Sequence, residues 1–110
     1  MVKSEAKALD RIFHALSDQT RRAILIDISK KENTVSELAK PYKMSLAAVS
    51  KHLSVLEAAG LIDRKRVSSF QVVSLRAESL KTANEWLAHY EIFWNEKLNA
   101  LQELLEKRKK

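Results

Sequence analysis

The chain has 110 residues, with 20 Lys and Arg against 14 Asp and Glu and a net charge of +6. This length is that of one domain, and 45% apolar residues are too many for a disordered polycation. One Gly, one Pro and no Cys argue against all-β barrels, Gly-rich phosphate loops, disulfides, thiolate metal sites and Cys nucleophiles.

The first third of the chain predicts three helices. Apolar residues at steps of three and four predict a helix over 3–16, and a second helix is expected from about Asp18 to Lys30. The run 34–37 (TVSE) fits a capping box at the start of a short third helix. Pro41 is expected to end or kink that helix, because it lacks a backbone donor and crowds the preceding turn.

The middle of the chain predicts a longer helix and a hairpin. Ser45 is an N-cap candidate for a helix over 46–59. Gly60, the only glycine, lies where a left-handed residue commonly ends a helix. The runs 61–67 and 70–75 are rich in β-branched and apolar residues, so we expect them to pair as two strands.

From residue 77 to the end, 77–110, the pattern predicts one helix with an apolar residue every three or four positions. About 30 helical residues would span about 45 Å, more than the width of so small a domain. We therefore expect part of the apolar stripe to contact a second copy of the chain. This predicted dimer stripe consists of Leu87, Tyr90, Trp94, Leu98 and Leu101. The aromatic residues Trp86, Tyr90, Phe93 and Trp94 would alternatively line an effector pocket.

Positive charge is concentrated in residues 40–76, which hold seven basic and two acidic side chains. This excess is typical of a surface that binds a polyanion, although a merely solvated face has the same composition. The helices predicted around 35–39 and 46–59 have the size and spacing of a helix-turn-helix. In that motif the second helix enters the major groove of double-stranded DNA by its N-terminal end. The candidate DNA contacts are Ser45, Ala47, Ala48, Ser50, Lys51, His52 and Ser54 on this helix, and Arg64, Lys65 and Arg66 on the hairpin.

Each candidate on the helix also has a purely structural interpretation. Ser45 is as well explained by an N-cap, and Ala47 and Ala48 by ordinary helix propensity. An exposed lysine such as Lys51 is usually only solvated. His52 is as well explained by a packed, neutral imidazole as by a phosphate contact.

Three ordered stretches resemble the ArsR-type family of winged helix-turn-helix transcriptional repressors. They are 16–25 (LSDQTRRAIL), 34–39 (TVSELA) and 45–62 (SLAAVSKHLSVLEAAGLI), and the resemblance extends over about 9–105. It implies a mainly α winged helix-turn-helix fold, with a two-stranded hairpin as the wing and a long C-terminal dimerisation helix. It also implies a homodimer that represses transcription from a palindromic operator.

The resemblance assigns the dimer interface to the first and last helices, 1–16 and 77–110, which adds Leu9, Ile12 and Phe13 to the interface. It implies that Arg21 and Arg22 lie near the DNA backbone or the edge of the core.

The chain departs from the best-known metal-sensing members of this family. Their thiolate pair falls at the positions of Thr34 and Ser36, and the last helix here has a single histidine, His89. The resemblance therefore implies DNA binding without a metal or another cofactor, and it leaves any effector open. The hairpin tip, 67–69, is neutral where the family is usually rich in glycine and arginine.

The predicted function is that of a sequence-specific DNA-binding transcriptional regulator. The alternative is a winged-helix module that binds another protein instead of DNA. An enzyme is not expected, because no nucleophile–base pair or phosphate loop can be assembled from the sequence. The chain also lacks an apolar run of about 18 residues and an apolar leader segment, so we expect a cytoplasmic protein.

Overall fold

The protein is described from a computed structural model that places residues 3–108, with side chains from residue 6 onward. The outermost positions of the predicted dimerisation segments 1–16 and 77–110 lie outside the described residues. The elements run in the order α1 (Lys3–Leu16), α2 (Gln19–Lys30), β1 (Asn33–Thr34), α3 (Val35–Ala39), a 3₁₀ turn (Lys40–Tyr42), α4 (Leu46–Ala58), β2 (Ile62–Val67), β3 (Phe70–Leu75) and α5 (Ala77–Arg108).

Local capping explains where the short helices begin and end. The Asp18 carboxylate accepts the Arg21 backbone N–H at 3.0 Å and caps α2. At α3, the Thr34 hydroxyl accepts from Glu37 N at 3.2 Å, while the Glu37 carboxylate accepts from Thr34 N at 3.0 Å. The predicted capping box is therefore confirmed. The α-helix ends two residues before Pro41, which lies in the 3₁₀ turn, as its missing donor requires.

The predicted boundaries of α4 are also confirmed. Ser45 is the N-cap, with its hydroxyl accepting from Ala48 N at 3.1 Å. The helix ends at Ala58, and Gly60 adopts a left-handed φ of +73° just beyond it. A Cβ at Gly60 would lie 2.8 Å from the Ser79 hydroxyl oxygen, so both backbone conformation and space favour glycine here.

The sheet contains the predicted hairpin and one strand that the sequence did not indicate. The strands are antiparallel in the order β1-β3-β2, with Arg64 opposite Val73 and Val67 opposite Phe70. We call the hairpin β2–β3 the wing. The added strand β1 pairs Asn33 with Val73. Two residues are too few to show the alternation that predicts a strand, so the sequence indicates only a polar connection between α2 and α3.

The chain divides into two compact units, Met1–Leu80 and Lys81–Lys110. In the first unit, the buried apolar core draws on all the helices that precede the wing and on the wing itself. Its most deeply buried side chains are Ile12, Ile24, Leu38, Val49, Leu53, Leu56, Leu61, Ile62 and Val73. The mainly helical winged helix-turn-helix architecture is thus confirmed. No helix in the described part of the chain has the combination of length and apolar character needed to cross a lipid bilayer.

Candidate nucleic-acid interface

Helix α4 has one face in the core and the opposite face in solvent. Val49, Leu53 and Leu56 are fully buried, and α4 contacts α1, α2, α3 and β2. Lys51 and Ser54 lie on the exposed side. Because the buried stripe holds the helix on several elements, its outer face is presented to solvent on a rigid support.

The first turn of α4 presents small side chains. Ser45 and Ala47 are exposed and Ala48 is half-buried, so a ligand surface can approach the helix backbone closely here. The helix N-terminus also carries the positive end of the helix dipole, which favours anions. The Ser45 oxygen accepts one backbone hydrogen bond as the cap, and its hydroxyl proton remains available for donation.

A groove of about 360 Å³ lies between the N-terminal ends of α3 and α4 and the tip of the wing. It is lined by Thr34, Val35, Ser36, Leu46, Ala47, Ser50, Ser69, Phe70 and Gln71. Two large apolar side chains of this lining, Leu46 and Phe70, are more than half exposed. Sequence reasoning missed both, although Leu46 is the first residue of the predicted recognition helix.

The three basic residues predicted as one cluster on the wing are separated by the alternation of the strand. Arg64 lies over α4, with a side chain only 18% exposed. Lys65 points to the opposite face of the strand, while Arg66 lies nearer the tip; both are exposed. Of the three candidate contacts on the wing, Lys65 and Arg66 are thus exposed, and Arg64 is held against α4.

Arg64 donates hydrogen bonds to three side chains of α4. Its Nη1 lies 3.3 Å from Ser50 Oγ, its Nη2 lies 2.9 Å from Ser54 Oγ, and Nη2 lies 3.1 Å from Glu57 Oε1. Ser54 also donates to the Ser50 backbone carbonyl at 3.0 Å. Three predicted DNA contacts, Ser50, Ser54 and Arg64, thus already bind one another. The fourth member, Glu57, was missed, although positions 50, 54 and 57 have helical spacing on one face.

His52 is mostly buried, as expected of the packed imidazole that was one of its two explanations. Its side chain is 20% exposed, and its Nδ1 accepts from Arg21 Nη1 at 3.3 Å and lies 3.8 Å from Asp18 Oδ2. The packed interpretation of His52 is the one that this geometry supports. The pKa of Asp18 is lowered, first by the hydrogen bond from the Arg21 backbone N–H and then by the positive charge of Arg21.

The two adjacent arginines of α2 close the C-terminal end of α1. Arg21 donates from Nε to the Ala15 carbonyl at 2.8 Å and from Nη2 to the His14 carbonyl at 3.0 Å. Arg22 donates to the Leu16 carbonyl at 2.7 Å. The resemblance implied that these arginines lie near the DNA backbone or at the edge of the core. Their contacts correspond to the edge of the core.

The positions at which metal-sensing relatives carry thiolates are a helix cap here. Thr34 uses its hydroxyl and backbone N–H in the capping box of α3, and Ser36 is exposed. Within residues 3–108 there is no group of three or more His, Cys, Asp or Glu side chains arranged to hold a metal ion.

The predicted dimer residues fall into two groups. Leu9 and Ile12 are only 7% and 2% exposed within the single chain, because their stripe of α1 faces the core. They leave little surface for a partner, and their place in a dimer interface stays a prediction; Phe13 is half-buried. By contrast, the predicted stripe on α5 is open, with exposures from 42% to 57% at Leu87, Tyr90, Trp94, Leu98 and Leu101.

The aromatic residues of α5 stack along one side of the helix. The rings of Trp86 and Tyr90 are stacked at a centroid distance of 5.1 Å, and Tyr90 meets Trp94 edge-on at 5.9 Å. Together with the exposed leucines, these rings form an apolar patch. A solvated surface usually carries large apolar side chains only singly.

Comparison with known proteins agrees with this architecture. Residues 18–64 match the sequence profile of "Bacterial regulatory protein, arsR family". The HTH-type transcriptional regulator YuzN of Bacillus subtilis is 44% identical over 79 residues, which are 66% of this chain and 86% of the relative. The transcriptional repressor SdpR of Bacillus subtilis is 29% identical over 82 residues, or 74% of this chain and 91% of the relative.

A solved structure extends the likeness to three dimensions. The crystal structure of the ArsR family transcriptional regulator RHA00566 superimposes with a TM-score of 0.77 at 37% identity. The superposition covers 82% of this chain and 93% of that structure. The chain belongs to the arsR family of bacterial regulatory proteins and is a DNA-binding transcriptional regulator.

Proposed function

We propose that the protein is a homodimeric repressor that binds a palindromic operator, with the N-terminal half of α4 in the major groove. The observation that carries this proposal is the division of α4 into a fully buried stripe and an exposed face that holds Ser45, Ala47 and Lys51. A helix held in this way matches a major groove about 12 Å wide.

Each exposed residue has a defined role in the proposed complex. Ser45 donates its hydroxyl proton to a phosphate or base edge, and the methyl groups of Ala47 and Ala48 contact bases or thymine methyls. Lys51 binds phosphate or guanine. Lys65 and Arg66 of the wing contact the neighbouring phosphate backbone. Each phosphate neutralised in this way releases counterions, so operator binding falls steeply with salt.

The dimer is proposed to form through the exposed stripe of α5, and Phe13 of α1 is proposed as a further contact with the second copy. Burial of apolar surface drives such association at about 25 cal/mol per Å². A two-fold dimer would present two α4 helices to successive major grooves, about 34–36 Å apart. Repression as the direction of regulation is supported by the likeness to the repressor SdpR.

The test is a fluorescence-anisotropy titration of the protein against DNA from upstream of its own gene, at low and moderate salt. We expect a saturable, sequence-specific complex in which Lys51→Ala lowers affinity several-fold with little change in melting temperature. Lys30→Ala, which removes an exposed lysine of α2, is the matched control and should bind like wild type. The assignment of Lys51 fails if both variants bind equally, or if Lys51→Ala lowers stability and leaves affinity unchanged.

A further inference from the structure

The wing and the recognition helix are joined through a single guanidinium group. Arg64 on β2 uses Nε, Nη1 and Nη2 to reach three positions of α4 at i, i+4 and i+7, namely Ser50, Ser54 and Glu57. We infer that Arg64 is a positioning residue that sets the wing against α4, with Glu57 neutralising its charge, and that it does not bind phosphate in the complex. This inference rests on the proposed DNA-binding role of α4 and the wing.

The geometry argues against a swing of Arg64 to DNA. The side chain is 18% exposed, and its Nη2 is shared by Ser54 Oγ at 2.9 Å and Glu57 Oε1 at 3.1 Å. To reach a phosphate, the guanidinium would have to leave three acceptors at once. It would also leave the Glu57 carboxylate exposed on the helix that approaches the polyanion. Lys65 and Arg66 can bind phosphate without either cost.

The shape of the guanidinium makes this contact specific to arginine. Its planar fork presents five N–H donors in fixed directions, whereas a lysine ammonium is a single charge on a flexible stem. An arginine can therefore bridge side chains on two turns of α4 and fix the angle of β2 relative to the helix. Because β2 is paired with β3 along its whole length, fixing β2 fixes the wing.

The salt dependence of DNA binding distinguishes a cation that binds phosphate from a positioning residue. A cation that binds phosphate contributes about 0.9 to the slope of log K against log salt, and its loss weakens specific and non-specific binding alike. A positioning residue behaves differently. Its loss lowers the preference for the operator over random DNA and leaves the salt slope unchanged.

The experiment uses the full chain with Arg64→Gln, Arg64→Lys, Glu57→Gln and the double variant Arg64→Gln/Glu57→Gln. Arg66→Gln, on the same strand, is the reference for a cation that is proposed to bind phosphate. Each is titrated with operator and random-sequence duplexes over a series of salt concentrations. For the double variant Arg64→Gln/Glu57→Gln, which keeps the net charge of the pair, we expect a several-fold loss of operator preference with unchanged random-DNA affinity and salt slope. Arg64→Lys keeps the charge and should not restore the preference. Glu57→Gln should raise random-DNA affinity, because it removes a negative charge from the helix that approaches DNA, and should leave the salt slope unchanged, because Arg64 still does not bind phosphate.

The inference is overturned if the double variant Arg64→Gln/Glu57→Gln lowers the salt slope by about 0.9 and weakens both duplexes equally, or if Arg64→Lys restores wild-type binding. It is also overturned if Glu57→Gln changes nothing. Hydrogen exchange of the wing amides in the free protein provides an arm without DNA: Arg64→Gln should accelerate it and Arg66→Gln should not. If the wild-type protein binds no operator fragment more tightly than random DNA, the proposed function fails. The hydrogen-exchange measurement still decides whether Arg64 holds the wing.

Discussion

Some hydrogen bonds between side chains link elements that are distant in sequence, and each of them can be tested separately by substitution. Tyr42 in the 3₁₀ turn donates its hydroxyl to Asp27 Oδ2 of α2 at 3.0 Å. Burial, followed by the hydrogen bond and the negative charge of Asp27, raises the pKa of Tyr42 from 10.0 to about 12. The fold therefore favours the neutral phenol over the phenolate.

The sign of this shift predicts a loss of stability in alkali. Since the folded-state pKa lies above the unfolded value, the contribution is complete below pH 10.0 and is lost as the pH rises towards about 12. Tyr42→Phe should cost about 1 kcal/mol of unfolding free energy at neutral pH and remove this part of the alkaline loss. Urea unfolding across the pH range measures both effects. Tyr90→Phe is the control, and identical profiles for the two variants would contradict the prediction.

At the scale of elements, helix ends determine where the candidate interface begins. Ser45 caps α4 at the point where the proposed DNA contacts start. We therefore expect Ser45 to contribute both to the stability of the helix and to DNA binding. The two roles can be separated, because asparagine and aspartate both cap helices well but only aspartate adds a negative charge.

Ser45→Ala should lower the free energy of unfolding by about 1 kcal/mol, and Ser45→Asn should restore most of it. Ser45→Asp should also keep stability, since a carboxylate is favourable at a helix N-terminus, and yet weaken DNA binding by repelling phosphate. Thermal melts and operator titrations of the three variants give the comparison. If the Asp variant binds as tightly as wild type, the first turn of α4 does not approach the DNA backbone.

At the scale of the whole molecule, the exposed apolar stripe of α5 determines the assembly that we propose. Its large side chains are about half exposed in the single chain, and a second copy is the partner that a palindromic operator requires. In the proposed dimer, two-site operator binding therefore depends on this stripe.

A chain that ends before Trp86 should be monomeric or unstable and should lose affinity for a two-site operator. A full-length variant with Trp94→Glu and Leu98→Glu avoids the truncation and should also be monomeric by sedimentation. Glu96→Lys, a charge change on the opposite side of α5 by helical periodicity, is its control and should leave the assembly unaltered. A folded dimer in both the truncated and the doubly substituted protein would place the interface elsewhere.

Short-range physics explains what could be predicted from the sequence alone. The caps at Asp18, Thr34 and Ser45 and the left-handed Gly60 depend on a residue and its near neighbours, so helix boundaries were read to within one or two positions. The same holds for the hairpin, whose strands are separated by two residues. The family resemblance follows from these ordered local motifs.

Tertiary structure decided the direction in which each side chain points, because that depends on contacts between residues far apart in the chain. His52 is hydrogen-bonded to Arg21, which is 31 positions away in the sequence. The short strand β1 forms because Asn33 pairs with Val73 of β3. Leu9 and Ile12 belong to the core since α1 packs on α2 and α4. Composition and spacing identified a basic helix-turn-helix, but only the packed chain distinguished Arg64, which is hydrogen-bonded to α4, from the exposed Lys65 and Arg66.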